Sequence, residues 1–164
     1  MSIPAVRLNH AVLFVADLQR SIDFYTSVFA MEVAAVEPRA NAAFLRLTHG
    51  DNHHDLGLFG IGADRVKRPG IGLYHLARQV DTIEQLEEAR LGLANADAYT
   101  GESSHGATKS VYGKDPDGNE FEVMWMLPRA DWGRFEHEAS VERLDPAAEV
   151  REWAGVRTAV EAGR

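Results

Sequence analysis

The chain has no cysteine, so it forms no disulfide and uses no thiol chemistry. It also has no apolar run approaching the roughly 20 residues needed to span a bilayer. Its first residues enter a strand pattern directly, without the charged region, apolar stretch and cleavage site of a secretory signal, so the cytoplasm is the expected location. Positive charge is scarce: 17 Lys and Arg against 25 Asp and Glu give a net charge of −8. That balance argues against a nucleic-acid partner and against an anionic membrane surface. With 45% hydrophobic and 26% charged residues over 164 positions, the composition is that of a soluble globular protein with one good core and at most a short appendage.

Against that background three polar residues stand out, each inside an apolar, strand-like run. They are His10 in Leu8–Val15, His75 in Gly72–Leu76 and Glu122 in Glu120–Trp125. A strand alternates its faces, so one sheet face could carry each of them among apolar neighbours. A carboxylate buried there is costly unless a cation or partner compensates it. Two imidazoles and a carboxylate with open positions suit non-haem Fe(II). The bland reading is a satisfied core histidine in two places and a solvated carboxylate in the third, with Glu120 as the competing acid.

The three fall at related places in an internal repeat. An offset of 65 lays His10 on His75, Val15 on Val80 and Leu18 on Ile83. In the first copy Asp17 can cap a helix carrying Leu18, Ile22, Tyr25 and Phe29 at helical spacing. In the second, Thr82 and Gln85 form a capping box, and Ile83, Leu86 and Ala89 line a face that Gly92 is expected to end. Short strands follow each helix: Glu32–Val36, Ala42–Leu47 and Leu56–Phe59, then Asp97–Tyr99, Ala107–Tyr112 and Asn119–Met126. Each half therefore reads β-α-β-β-β. The halves are joined by a loop over 62–72 with a turn signal at Lys67-Arg68-Pro69-Gly70. Asp115-Pro116-Asp117-Gly118 predicts a type I turn closing a hairpin. Beyond Pro128 the chain becomes charged and poor in strand formers. It reads as a mostly helical extension, with a helix start at Asp145-Pro146 and Trp132, Phe135 and Trp153 available to pack on the domain or on a partner.

This pattern resembles the vicinal oxygen chelate superfamily, which includes glyoxalases, antibiotic-binding resistance proteins and extradiol ring-cleaving dioxygenases. The resemblance covers roughly residues 6–128. It rests on His10, Asp17-Leu18, Ser21 and Phe24-Tyr25 at the start and on Asp115–Glu122 at the end. Within the superfamily, His105, Val111-Tyr112, Asp115–Gly118 and Glu122 are similar to the signature of type I extradiol dioxygenases. Ser103 departs from it, standing where that signature favours Gly, Asn, Thr, Ile or Val.

The resemblance implies an α+β fold, with paired β-α-β-β-β modules forming an open cupped eight-stranded sheet around a metal site. Residues 1–128 would form that domain, with modules at 5–61 and 70–128, and 129–164 the helical extension. It implies metal ligands His10, His75 and Glu122, holding Fe(II) or in its place Mn(II), each imidazole with an acceptor on its other nitrogen. It makes His54 the acid/base residue on a strand, with His53 on the opposite face, although His53-His54 could equally be surface loop. Tyr112 would bond a substrate oxygen and His105 would donate from a loop. In their bland readings these two are a core aromatic and a loop residue. His137 is given no role. The implied activity is ring cleavage of a catechol-type aromatic by O₂, in a homodimer or higher homo-oligomer. Two alternatives are a glyoxalase-like metal-dependent isomerase or lyase and a resistance protein that only binds an aromatic antibiotic. The first would place a second carboxylate on the last strand of module one, where Asp55 is the sole candidate.

Overall fold

The computed structural model describes residues 7–65, 71–138 and 140–159. The turn signal at Lys67–Gly70 and the first residues of the expected modules, 5–6 and 70, lie outside the described residues. By its internal contacts the chain divides into two compact units, Met1–Pro69 and Gly70–Arg164. The fold is α+β, and each unit is one β-α-β-β-β module. The first contains β1 (Ala11–Val15), α1 (Leu18–Phe29), β2 (Glu32–Glu37), β3 (Ala42–Arg46) and β4 (Leu56–Gly60). The second contains β5 (His75–Gln79), α2 (Ile83–Asn95), β6 (Tyr99–Ser104), β7 (Thr108–Lys114), β8 (Glu120–Met126) and, in the extension, α3 (Pro146–Trp153).

Each module builds a four-stranded mixed sheet in the same order, β1-β4-β3-β2 and β5-β8-β7-β6. The first and last strands of a module pair in parallel, which requires a long crossover, and the helix supplies it. The helix starts follow the capping chemistry. The Asp17 side chain accepts from the Arg20 N–H at the start of α1, and Thr82 and Gln85 form the reciprocal box at α2. In unit one, Leu13, Val15, Leu45, Leu56 and Leu58 are buried together with Tyr25 of α1. Strand alternation then leaves Val12, Phe14, Phe44 and Phe59 on the opposite face. In unit two, Phe121, Val123 and Trp125 of β8 are buried, as are Ile83, Leu86 and Leu93 of α2.

Several boundaries differ from the sequence reading. Gly92 does not end α2, which continues to Asn95 and buries Leu93 at 1% exposure. Leu93 lies two turns beyond Leu86, and burying it outweighs a cost of about 1 kcal/mol for glycine inside a helix. The second strand of module two, expected over Asp97–Tyr99, is displaced toward the C-terminus. Asp97 has φ +53, and the strand begins at Tyr99 and runs through Gly101 and Ser103. Those are poor strand formers, held extended by pairing with β7. The Asp115–Gly118 turn forms as expected: the Gly118 N–H bonds the Asp115 carbonyl at 2.9 Å, and Asp115 Oδ1 accepts from Asp117 and Asn119 N–H.

Among its described residues the extension holds α3 and two short 3-10 turns at Arg129–Asp131 and Gly133–Glu136. Its aromatic residues pack on the chain's own second unit. Trp132 Nε1 donates to the Leu127 carbonyl at 2.8 Å, and Trp153 lies against Trp125 with ring centroids 5.8 Å apart. Among the described residues no helix is long and apolar enough to cross a membrane.

Phe135 packs where Gly106 has no side chain. A Cβ at Gly106 would fall inside the Phe135 ring, and Gly106 also has φ +75. Gly106→Ala should therefore combine left-handed strain of about 1–2 kcal/mol with overpacking of about 1–3 kcal/mol. A urea denaturation midpoint close to wild type would show that the extension does not grip this loop.

Candidate active site

In unit one, His10 sits one residue before β1 rather than inside it, and His54 lies in the turn before β4. The His10 and His54 rings meet with centroids 4.5 Å apart, and His54 stands edge-on to Phe44 at 5.0 Å. His10 Nδ1 is 2.9 Å from Asn9 Oδ1, an acceptor that leaves Nε2 available as a lone-pair donor. His53 is not on an opposite strand face. Its Nδ1 lies 3.0 Å from His54 Nδ1, because both residues occupy a turn where alternation does not apply. Burial lowers the His54 pKa from its ordinary value, and the neighbouring His10 and His53 add to the effect, against an opposing pull from Asp55. His54 is therefore neutral near pH 7 and able to accept a proton.

In unit two the polar residues gather on one face of the sheet. Strand β8 lies between β5 and β7, so Glu122 has a neighbour on each side. Glu122 Oε2 is 3.1 Å from His75 Nε2 on β5, and the Ser110 hydroxyl on β7 donates to Glu122 Oε1 at 2.5 Å. Tyr112 is directly opposite Glu122 in the β7–β8 register, with its ring 5.8 Å from that of His75. Its hydroxyl lies 2.8 Å from His105 Nε2 and 3.2 Å from Ser103 Oγ. Ser103 Oγ is itself 2.8 Å from His105 Nε2, and His105 Nδ1 is 2.9 Å from the Ser140 carbonyl. Glu120, the competing carboxylate, is only half-buried and pairs with the Tyr74 hydroxyl, which it holds above its ordinary pKa.

The donor set suits a divalent cation. Glu122 is 9% exposed, and its partners are a hydroxyl and an imidazole rather than Lys or Arg. A carboxylate so buried calls for a positive charge, which either an imidazolium or a metal on this nitrogen–oxygen pair would supply. His75 Nδ1 is buried without a hydrogen-bond partner among the described residues, so the acceptor expected on its second nitrogen is not found there. Among the described residues of either unit, no three His, Cys, Asp or Glu side chains come together as a metal set.

The repeat gives a further comparison. The register pairs Ala77 with Glu122 in unit two and Val12 with Gly57 in unit one. At the offset of 65, Val12 corresponds to Ala77, so the position equivalent to Glu122 is Gly57. Module one has no carboxylate there. Asp55, one residue before β4, is committed elsewhere: its Oδ2 accepts from the Leu47 N–H at 2.7 Å and its Oδ1 from Asn52 at 2.8 Å. Sequence reasoning missed Ser110 and gave Ser103 no role. Alternation could have flagged Ser110, which stands two residues before Tyr112 and so on the same strand face.

The sequence profile of the Glyoxalase/Bleomycin resistance protein/Dioxygenase superfamily matches residues 7–123. A lactoylglutathione lyase of Escherichia coli O157:H7 is 30% identical over 135 residues, 79% of this chain and 97% of that protein. The catechol-2,3-dioxygenase of Bacillus subtilis is 28% identical over 130 residues, 77% of this chain and 44% of that protein. A fosfomycin resistance protein from Listeria monocytogenes superposes with a TM-score of 0.59 at 19% identity, covering 75% of this chain and 95% of the other. At that identity the likeness is one of fold.

Removing the Ser110 hydroxyl tests how the carboxylate is held. Ser110→Ala should cost about 1–3 kcal/mol, the usual result of leaving a buried acceptor short of a donor. It should lower the denaturation midpoint without changing the slope. An unchanged midpoint would show that Glu122 does not depend on β7.

Proposed function

We propose that this chain, which belongs to the glyoxalase/bleomycin resistance protein/dioxygenase superfamily, is a metal-dependent enzyme that opens the ring of a catechol-type diol with O₂. The observation that carries this reading is the face of unit two, where the buried Glu122–His75 pair stands beside Tyr112 and its His105 partner. His75 and Glu122 would hold the metal, Fe(II) first and Mn(II) as a substitute, with His10 the third ligand that the family resemblance implies. When bound, the metal supplies a Lewis acid with open positions, which eases ionisation of a diol and brings it beside its co-substrate.

The chain's own side chains supply positioning and proton handling. Ser110 orients the Glu122 carboxylate, and Asn9 orients the His10 ring. His54, neutral because burial and two flanking histidines disfavour its charge, would take a substrate proton and later return it to the product. Tyr112 would hold a substrate oxygen. The Phe59 ring, edge-on to both Phe14 and Phe44, offers with them an apolar wall suited to an aromatic ligand.

A second reading is a metal-dependent lyase or isomerase. It is favoured by the 30% identity to a lactoylglutathione lyase over 97% of that protein's length. Two features count against it: the position in module one that corresponds to Glu122 is Gly57, and Asp55 is spent on the Leu47 and Asn52 donors. Simple sequestration of an aromatic antibiotic would leave His54 and the Tyr112–His105 pair without work.

Anaerobic reconstitution with Fe(II), followed by oxygen uptake across a catechol panel and a parallel assay for lactoylglutathione formation, separates these readings. His54→Ala should bind Fe(II) stoichiometrically yet lose about a hundred- to ten-thousand-fold in oxygen uptake. His53 touches His54 and cannot serve as the silent control, so exposed His137→Ala takes that place. Lactoylglutathione formation without oxygen uptake, or full activity in His54→Ala, would transfer the assignment to the lyase reading.

A further inference from the structure

The family profile ends at residue 123, yet a backbone group well beyond it touches the polar face of unit two. The Ser140 carbonyl lies 2.9 Å from His105 Nδ1. A carbonyl oxygen only accepts, so Nδ1 must carry the hydrogen. In the neutral ring Nε2 is then a lone pair, with no hydrogen of its own. Two hydroxyls stand at 2.8 Å from that lone pair, those of Tyr112 and Ser103, and they are 3.2 Å from each other.

Keeping both hydroxyl hydrogens within these three contacts leaves three arrangements. Tyr112 donates to His105 and Ser103 to Tyr112, or Ser103 donates to His105 and Tyr112 to Ser103, or both donate to the Nε2 lone pair. In each of them the Tyr112 oxygen turns only lone pairs outward. We infer that the C-terminal extension is a working part of the site: the Ser140 carbonyl fixes His105 as an acceptor, and Tyr112 consequently offers a ligand an acceptor rather than a donor. His105 is a positioning residue in this arrangement, the reverse of the donor role implied by family resemblance. The ligand class it selects at Tyr112 is one that presents an O–H. That last clause rests on the proposed function, whereas the ring assignment does not.

The extension is well placed for this task. Ser104 and Glu142 exchange both backbone bonds at 2.9 Å, which adds the segment to the edge of the sheet beside β6. Lys109 ties it again, pairing with Glu149 at 2.8 Å and bonding Ser104 Oγ at 3.0 Å. Ser103 is the residue that departs from the dioxygenase signature, and of the residues that signature favours there, only Thr and Asn could supply a side-chain donor to the trio.

Imidazole ¹⁵N–¹H correlation spectra of the metal-free full chain test the inference without any activity measurement, with His105 assigned by its loss in His105→Gln. The expected result at neutral pH is a single Nδ1–H tautomer. An Nε2–H tautomer or an imidazolium overturns the inference, while oxygen uptake separately tests the proposed reaction. Glu142→Pro removes the N–H that bonds Ser104 and should release the carbonyl, mixing the His105 tautomers while the other histidine signals hold. A His105 signal unchanged in that variant would show that the extension does not set the tautomer.

Discussion

A carboxylate buried in an apolar strand is the constraint around which unit two is organised. Glu122 sits among Phe121, Val123, Met124 and Trp125, all buried, where an isolated charge would cost several kcal/mol. The strand order answers that cost. Because β8 runs between β5 and β7, an imidazole reaches the carboxylate from one side and a hydroxyl from the other. The parallel β5–β8 pairing demands a crossover, and α2 provides it while covering the opposite face. Topology, burial and candidate chemistry are thus consequences of one placement. An edge strand could not have brought both neighbours to the same side chain.

The repeat shows how one architecture is used twice with different contents. Both units have the same strand order and both put a histidine at the start of the first strand, His10 just before β1 and His75 opening β5. The equivalents then diverge. Gly57 stands for Glu122 and Phe44 for Tyr112, since Phe44 pairs with Gly57 as Tyr112 pairs with Glu122. Unit one is left with an aromatic cluster and two histidines but no carboxylate at the position of Glu122, and unit two with the acid and its hydrogen-bonded neighbours. Gly57 allows a close approach there: a Cβ would meet Val12 at 3.3 Å and Phe44 at 3.6 Å. A side chain at this position would need only Val12 to yield slightly, since the Phe44 distance is an ordinary contact.

What could be read from the sequence was local or periodic. Asp17, Thr82 with Gln85, and Asp115–Gly118 act through bonds to backbone groups within four residues, so their geometry follows from spacing alone. The 65-residue offset located the histidines relative to each strand start. What escaped depended on partners distant in sequence. Strand β6 exists because β7 pairs with it, despite Gly101 and Ser103. Gly92 is carried inside α2 because Leu93 needs burial. The His53–His54 pair looked like a strand opening because Leu56–Phe59 follows, but Asp55 is drawn to the Leu47 N–H and the strand begins only after it. The Ser140 carbonyl has no side-chain identity to betray it.

One fold hosts several reactions, so function rests on the side chains it carries. In this chain the distinguishing groups stand behind the residues of the candidate site: Ser110 behind Glu122, Ser103 and His105 behind Tyr112, and an extension carbonyl behind His105. Each acts by fixing the direction of a hydrogen bond rather than by meeting the ligand. A ligand set of imidazole and carboxylate is compatible with isomerisation and with ring opening alike. The direction in which the Tyr112 oxygen presents its lone pairs is compatible with fewer ligands, because an O–H group and a bare oxygen demand opposite partners. Selectivity among chemistries on this scaffold therefore reaches out to residues 103–105 and 140, well beyond the strands that hold the candidate metal ligands.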